Sequence, residues 1–230
     1  MTPRLKFALL VLLNIVVSVG ATMAILFLTA GSFRFWEGWV YLTVAWVPTF
    51  SMYAYFYRYD RQLFERRFQK KEKSREQKLL RRMFLPVGAI GFVLPGLDYR
   101  FGWSRTYLGG VPLWLILLSQ ALVLGGFLVV FWAMKVNSFA SRTIQVETGQ
   151  TTISSGPYSL VRHPFYTGRL MSVLFTAPAL GSYFAWPVLA LYILFFVLRL
   201  LHEEKVLRRE LPGYPEYCLR VRFRLLPLIW

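Results

Sequence analysis

The sequence predicts an all-α integral membrane protein with about six transmembrane helices. Of its 230 residues, 56% are hydrophobic and only 17% are charged, and the apolar residues are gathered into long uncharged runs. A soluble domain carries about 25% charged residues. Uncharged runs of about 20 residues are instead long enough to cross the ~30 Å hydrocarbon core of a bilayer. Composition therefore excludes a soluble globular enzyme and a disordered chain.

The cysteine content excludes a disulfide scaffold. Cys218 is the single cysteine of the chain, so no internal disulfide can form. The sequence has no CxxC motif and no His/Cys cluster with the spacing of a zinc or iron–sulfur site. We therefore expect neither a secreted fold nor a bound metal.

The first two apolar runs predict an N-terminal transmembrane hairpin over residues 1–57. Residues 7–33 and 38–57 carry no charge, and the segment between them is short. No small-residue cleavage site follows a short apolar stretch, so the first run is interpreted as a retained span rather than a signal peptide. The second run ends in aromatic residues of the kind that meet a membrane–water boundary.

A strongly basic segment, residues 58–82, follows this hairpin. It contains eleven Lys/Arg and four Asp/Glu, in a chain whose net charge is +16. Because the segment lies between two apolar runs, the positive-inside rule predicts a cytoplasmic loop attracted to anionic lipid headgroups. This interpretation is favoured over nucleic-acid binding.

The remaining spans are predicted over residues 83–97, 106–134 and 170–198. The first is short and contains Pro86 and Pro95. The last would measure about 44 Å as one helix, and it is interrupted by Pro178, Gly181 and Pro187. We therefore expect a short helical hairpin that turns near Gly181. The distribution of Lys and Arg places both termini in the cytoplasm.

Two unusual segments flank this last hairpin, and the predicted topology brings them to the same membrane face. Residues 154–168 contain His163 before a proline, and residues 199–217 contain Glu203 and Glu204 at the end of an apolar helix. An uncompensated carboxylate at that depth is costly, so a positively charged ligand would stabilise the pair. Taken singly, each feature also fits an ordinary ion pair or turn residue, for example Glu204 with Arg208 four residues on.

The combined pattern GPYSLVRHPFYTG and HEEKVLRRELPGYPEYCLRVRFRLLP resembles the isoprenylcysteine carboxyl methyltransferase and phospholipid N-methyltransferase superfamily. The resemblance covers roughly residues 107–230. It implies an S-adenosylmethionine-dependent enzyme with a membrane-embedded core over residues 83–230. It also implies a cytoplasmic cofactor pocket that is formed by the turn before the hairpin and by the C-terminal tail.

The resemblance assigns cofactor binding to the residues that match its motifs. These are Gly156, Pro157, Tyr158, His163, Pro164, Tyr166 and, for the amino group of the cofactor, Glu203 or Glu204. The chain has no GxGxxG turn of the soluble nucleotide-binding kind, as expected for this superfamily.

The methyl acceptor is expected to be a lipophilic or lipidated molecule that approaches from the bilayer. A carboxylate acceptor needs a cation to orient it, and the candidates are Arg169, Arg222 and Arg224. An amine acceptor needs a base, for which His163 or His202 is suitable. The cationic tail favours a carboxylate.

Two other functions are consistent with parts of the sequence. Membrane sterol reductases share the R-H-P-x-Y-x-G segment but use a nicotinamide cofactor, whose 2′-phosphate favours cations where this chain has adjacent glutamates. A non-enzymatic lipid-binding scaffold would explain the basic segment but would leave the histidine turn and the carboxylates without a purpose.

Overall fold

A computed structural model describes residues 3–68, 75–140 and 144–230, which form nine α-helices and no strand. The helices are α1 (Pro3–Ala30), α2 (Trp36–Tyr59), α3 (Arg61–Phe68), α4 (Arg75–Phe101), α5 (Trp103–Leu108), α6 (Leu113–Val136), α7 (Pro164–Ala179), α8 (Trp186–Glu210) and α9 (Tyr214–Arg220). A 3₁₀ turn, Gly156–Ser159, precedes α7. The predicted all-α class is confirmed.

Four of the described helices are long and apolar enough to cross a membrane. They are α1 from Leu9 onward, α4, α6 and α8. Helices α2 and α7, which the sequence also predicts as spans, fall outside this set. Helix α7 has 16 residues, so its length of about 24 Å is less than the ~30 Å hydrocarbon core.

The basic segment differs from the predicted loop because its described residues are largely helical. Helix α3 lies within it, and α4 already begins at Arg75. Residues 69–74 lie outside the described part of the chain. Arg66 of α3 donates a hydrogen bond to the carbonyl of Ser138 at 2.9 Å, and its guanidinium lies over the Phe139 ring. Helix α3 is thereby docked against the end of α6.

The predicted short span 83–97 lies inside the 27-residue helix α4, which contains both Pro86 and Pro95. Prolines are tolerated in membrane helices because neighbouring helices and side chains satisfy the freed carbonyls. Helix α4 packs against α8, where the Phe84 and Phe195 rings lie 5.2 Å apart.

Helices α6 and α7 pack closely against each other. A Cβ placed on Gly168 would lie 2.5 Å from the Gly126 carbonyl oxygen, so both positions require glycine for the backbones to approach. Beyond α7, Gly181 adopts a left-handed φ of +68° in the turn that leads to α8. Helix α8 has 25 residues and extends past the apolar region, so it is longer than the short helix predicted.

Candidate active site

Main-chain hydrogen bonds join the turn before α7 to the C-terminal tail. The amide of Arg162 donates to the carbonyl of Phe223, and the amide of His163 donates to the carbonyl of Arg224, both at 2.9 Å. Pro164 then begins α7 at a position where a missing N–H has no cost. The two motif segments that the sequence singles out are therefore adjacent in space.

Glu204 lies at the centre of a buried charge network between these segments. Its Oε1 is 2.7 Å from Arg162 Nη1 and 3.3 Å from His163 Nε2, and its Oε2 accepts a hydrogen bond from Arg224 Nε at 2.8 Å. Only 5% of the Glu204 side chain is exposed. The carboxylate is thus compensated by groups of the protein, and it orients Arg162 and His163.

Glu203 has a different environment from its neighbour. Its Oε2 accepts a hydrogen bond of 2.6 Å from the Tyr166 hydroxyl, and its side chain faces a cavity of about 350 Å³. The adjacent glutamates therefore have separate roles, because Glu204 completes an internal network and Glu203 presents a carboxylate to the cavity.

The cavity brings together some of the predicted site residues and leaves others aside. Those in its wall are Tyr158, His163, Tyr166, Arg169 and Glu203. Those that the structure does not bring to its wall are Gly156, Pro157, Pro164, Glu204, Arg222 and Arg224.

The predicted residues outside the wall support the turn and the tail. Gly156 has a φ of +56°, and an added Cβ would lie 3.0 Å from Val136 Cγ2, so it shapes the turn. Arg222 is exposed, and its carbonyl accepts a hydrogen bond from Arg162. Arg224 bonds to Glu204 and stacks on Trp230.

Tyrosines of α9 close the cavity on the side of the tail. Tyr214 Oη lies 3.3 Å from His163 Nε2, and the Tyr217 hydroxyl donates to the carbonyl of Tyr158 at 2.6 Å. Burial raises the pKa of Tyr158 to about 12 and also raises the pKa of Tyr214 and of Tyr217. All three phenols therefore stay protonated at neutral pH. The sequence GYPEY at residues 213–217 contains both α9 tyrosines, to which the sequence analysis assigns no role.

Sequence reasoning missed the part of the wall that comes from the basic segment. Arg67 of α3 and Gln77 and Arg81 of α4 line the cavity, as does Arg199 of α8. Among the described lining residues there are five arginines, including Arg162 and Arg169, and one carboxylate. By contrast His202, a candidate base, does not line the cavity and pairs with Glu76 at 3.2 Å.

A second cavity of about 270 Å³ adjoins the first and is mostly apolar. Helices α2, α4, α6, α7 and α8 all contribute to it, and it shares Leu85, Arg169 and Tyr192 with the larger cavity. Arg169 is half-buried at this junction, with its guanidinium 5.9 Å from the Phe196 ring centroid. No carboxylate among the described side chains forms an ion pair with it.

Within residues 3–68, 75–140 and 144–230, no group of three or more His, Cys, Asp or Glu side chains could hold a metal ion.

The fold and the site define a helical membrane protein with a cavity that is lined by arginines and a carboxylate and closed by the C-terminal tail. Residues 114–212 match the phospholipid methyltransferase family. This match confirms the resemblance that the motifs predict.

Two curated proteins are similar to the chain over part of their length. One is the Delta(14)-sterol reductase TM7SF2 of Mus musculus, which is 32% identical over 93 residues, or 38% of this chain and 22% of the reductase. The other is the cobalt-zinc-cadmium resistance protein CzcN of Cupriavidus metallidurans, which is 29% identical over 133 residues, or 57% of each chain. The chain thus spans about a fifth of the first relative and little more than half of the second.

Proposed function

We propose that the protein transfers a methyl group from S-adenosylmethionine to a lipophilic acceptor at the membrane. The observation that carries this proposal is the junction of the two cavities. The larger cavity, which contains the Glu203 carboxylate, meets the smaller apolar cavity at Arg169, which has no carboxylate partner among the described side chains. The match to a methyltransferase family over residues 114–212 supports the same reaction class.

The residues of the larger cavity fit S-adenosylmethionine. Its volume of about 350 Å³ is within the range of small-molecule sites. Glu203 supplies a carboxylate for the ammonium group, and the rings of Tyr158, Tyr166 and Tyr214 supply aromatic faces for a cationic ligand. When bound, S-adenosylmethionine would supply an electrophilic methyl group next to a positively charged sulfur.

We assign the orientation of the acceptor to Arg169. An apolar chain in the smaller cavity would place an attached carboxylate at the Arg169 guanidinium, where paired hydrogen bonds hold it in one direction. A carboxylate is already a nucleophile, so O-methylation needs positioning and exclusion of water but no base. We therefore favour a carboxylate acceptor, as in isoprenylcysteine carboxyl methylation.

Methylation of a lipid amine is the alternative within the same class. An amine must lose a proton, and His163 lines the cavity with its Nε2 3.3 Å from both Glu204 and Tyr214. Histidine is the side chain most often used as a general base, and these two contacts fix the orientation of the ring. His202 is less suited, since it pairs with Glu76 away from the cavity.

A nicotinamide-dependent sterol reductase is a second candidate function. It is favoured by the similarity to the mouse Delta(14)-sterol reductase and by the five arginines in the cavity wall, which would suit the phosphates of the cofactor. The Glu203 carboxylate favours the methyltransferase, because it would repel a phosphate and attract the cations of S-adenosylmethionine.

We also propose that the cavity faces the cytoplasm and that the basic segment 58–82 contacts anionic lipids. The excess of Lys and Arg in this segment supports both statements through the positive-inside rule.

Equilibrium binding of labelled S-adenosylmethionine to the detergent-purified protein tests the reaction class. We expect saturable binding that S-adenosylhomocysteine displaces and NADPH does not. Displacement by NADPH alone would favour the reductase. Absence of S-adenosylmethionine binding, in a protein that retains its helical circular dichroism, would contradict the methyltransferase.

A further inference from the structure

The smaller cavity runs along α4 and α7, away from the larger cavity. Its wall on α7 extends from Arg169 to Thr176, and its wall on α4 extends from Leu85 to Phe92. Leu85 and Arg169 also line the larger cavity, so they mark the mouth of the smaller one, and Phe92 and Thr176 mark its deep end. Each wall covers seven residue steps, which corresponds to about 10 Å along a helix axis.

Contacts among three side chains close the deep end of this cavity. The Tyr41 hydroxyl lies 3.0 Å from Thr176 Oγ1, and the Tyr41 and Phe92 ring centroids are 5.8 Å apart. Tyr41 and Thr176 are buried. Beyond this level, the hydroxyl of Ser182, which follows α7, donates a hydrogen bond to the Asp98 carboxylate of α4. Tyr41, Phe92 and Thr176 therefore form a floor between helices that stay side by side.

Helix α8 closes the cavity on a second side near the floor. Leu189 of α8 lines the cavity, and a Cβ on Gly91 would lie 2.7 Å from Leu189 Cδ2. Helices α4 and α8 are therefore in contact next to Phe92. Leu85 and Ala89 are instead exposed, so the cavity is open beside α4 between its mouth and its floor.

A floor limits the length of an apolar chain whose carboxylate is held at Arg169. An extended chain advances about 1.2 Å per bond, so about eight bonds fit between the mouth and the floor. We propose that Tyr41, Phe92 and Thr176 select a lipophilic carboxylate whose chain has about eight to ten atoms in line, and that they exclude longer chains. This inference rests on the proposed methyl transfer to a carboxylate.

A series of N-acetyl-S-alkyl-cysteines with increasing alkyl length tests this selection. The cysteine carbons and the sulfur occupy the first part of the chain, so the S-hexyl compound fits the cavity and the S-dodecyl compound exceeds it. Transfer of label from S-adenosylmethionine to the full chain's acceptor in detergent gives kcat/KM for each compound. We expect the S-hexyl compound to be preferred by at least about tenfold, since a misfitting methylene in a hydrophobic pocket costs about that factor or more.

Two phenylalanines of the cavity wall provide a matched pair of variants. Phe92 belongs to the floor, whereas Phe127 of α6 lies near the mouth, because its neighbour Gly126 contacts Gly168 at the start of α7. Phe92→Ala is expected to abolish the preference for the S-hexyl compound, and Phe127→Ala is expected to retain it. Each compound enters the detergent to the same extent with either variant, so a change in the ratio of kcat/KM values reports on the cavity.

A third variant tests the same cavity without removal of a ring from the floor. Ala89 is exposed and lines the cavity between its mouth and its floor. Ala89→Phe would fill that space, so we expect lower kcat/KM with the S-hexyl compound and unchanged kcat/KM with the S-propyl compound. Because the new ring starts from an exposed position, the thermal midpoint should stay that of the unmodified protein.

Two results would overturn the floor alone. Equal use of the S-hexyl and S-dodecyl compounds by the unmodified protein would show that the chain leaves the cavity beside α4. Equal changes in the two phenylalanine variants would show that depth is not what is recognised. Absence of transfer to every compound, in a protein that binds S-adenosylmethionine, would instead reject the carboxylate acceptor and this inference with it. Absence of S-adenosylmethionine binding would reject the proposed function itself.

Discussion

At the scale of single residues, the two adjacent glutamates differ in the partners that surround them. Glu203 faces the cavity with one hydroxyl partner, whereas Glu204 is enclosed by Arg162, His163 and Arg224. A carboxylate buried among cations cannot be removed without leaving those cations uncompensated. The two carboxylates of one dipeptide therefore have different surroundings, since one faces the cavity and the other is enclosed by cations.

We expect Glu204→Gln to lower stability and Glu203→Gln to lower cofactor affinity. Breaking a buried ion pair costs about 3–5 kcal/mol, so thermal denaturation of the Glu204 variant should show a clear drop in midpoint. Glu203→Gln should keep the midpoint and weaken S-adenosylmethionine binding about tenfold or more. Unchanged binding by a folded Glu203 variant would contradict its assignment to the cofactor.

Arg169→Gln is expected to reduce turnover without reducing cofactor binding. Loss of acceptor orientation costs about 100-fold in rate, measured as label transferred from S-adenosylmethionine to a prenylcysteine carboxylate. Arg222→Gln is the matched control, because Arg222 is exposed and contributes only its carbonyl to the site. Equal turnover in the two variants would remove Arg169 from the acceptor site.

At this scale, the structure brings some of the residues that the sequence predicts for the site to one place. The structure brings Tyr158, His163, Tyr166, Arg169 and Glu203 to one cavity. The tail arginines Arg222 and Arg224, also predicted for the site, do not line this cavity. A cation near a motif can bind either a ligand or a neighbouring carboxylate, and the sequence does not decide between the two. Arg224 pairs with Glu204, and no spacing rule predicts that choice.

At the scale of elements, the packing of α6 on α7 sets the position of α7, the helix that follows His163 and carries Tyr166 and Arg169. Gly126 approaches Gly168 so closely that a Cβ on Gly126 would lie 2.5 Å from the Gly168 carbonyl oxygen and would overlap the Ser172 hydroxyl. Because α7 begins directly after His163, a displacement of α7 would move this histidine and Tyr166.

Gly126→Ala should therefore destabilise the protein, whereas Gly125→Ala should be tolerated. The Gly126 variant forces backbone atoms apart, at a cost of about 1–3 kcal/mol. A Cβ on Gly125 meets only the flexible end of Met171, at 3.2 Å. Thermal midpoints in detergent test the difference, and equal midpoints would show that the close contact is not required.

The start of α4 shows why the sequence analysis did not predict the cavity-lining residues that lie outside the motifs. Charge density alone predicts a loop at the membrane surface over residues 58–82. Gln77 and Arg81 nevertheless lie on a helix with the same four-residue spacing as Leu85. The periodicity was present in the sequence, but which face meets α8 depends on how α4 packs.

At the scale of the whole molecule, the predicted topology places the tail and the cavity on the cytoplasmic side. The tail is attached to the turn before α7 by main-chain hydrogen bonds, so both must lie at the same membrane face. Cys218 in α9 is half-buried, and it provides a natural label for that face.

A membrane-impermeant maleimide should modify Cys218 in inside-out vesicles and leave it unmodified in sealed right-side-out vesicles. The control is Tyr107→Cys in a Cys218→Ser background, since Tyr107 is 72% exposed in α5. This variant should show the opposite pattern. Labelling of Cys218 from the outside would reverse the predicted orientation.

The uncharged runs were sufficient to predict a helical membrane protein, because each span satisfies its own backbone hydrogen bonds and its apolar length is visible in the chain. The ordered motifs were likewise sufficient to predict the resemblance to membrane methyltransferases, since they are local patterns of residue type. The sequence did not determine that Glu203 faces the cavity while Glu204 is enclosed by cations. It also did not determine that Arg81, in a segment predicted as a loop, lies on a helix and lines the cavity. Both depend on contacts between residues far apart in the chain, which arise only when α4, α7, α8 and the tail pack together.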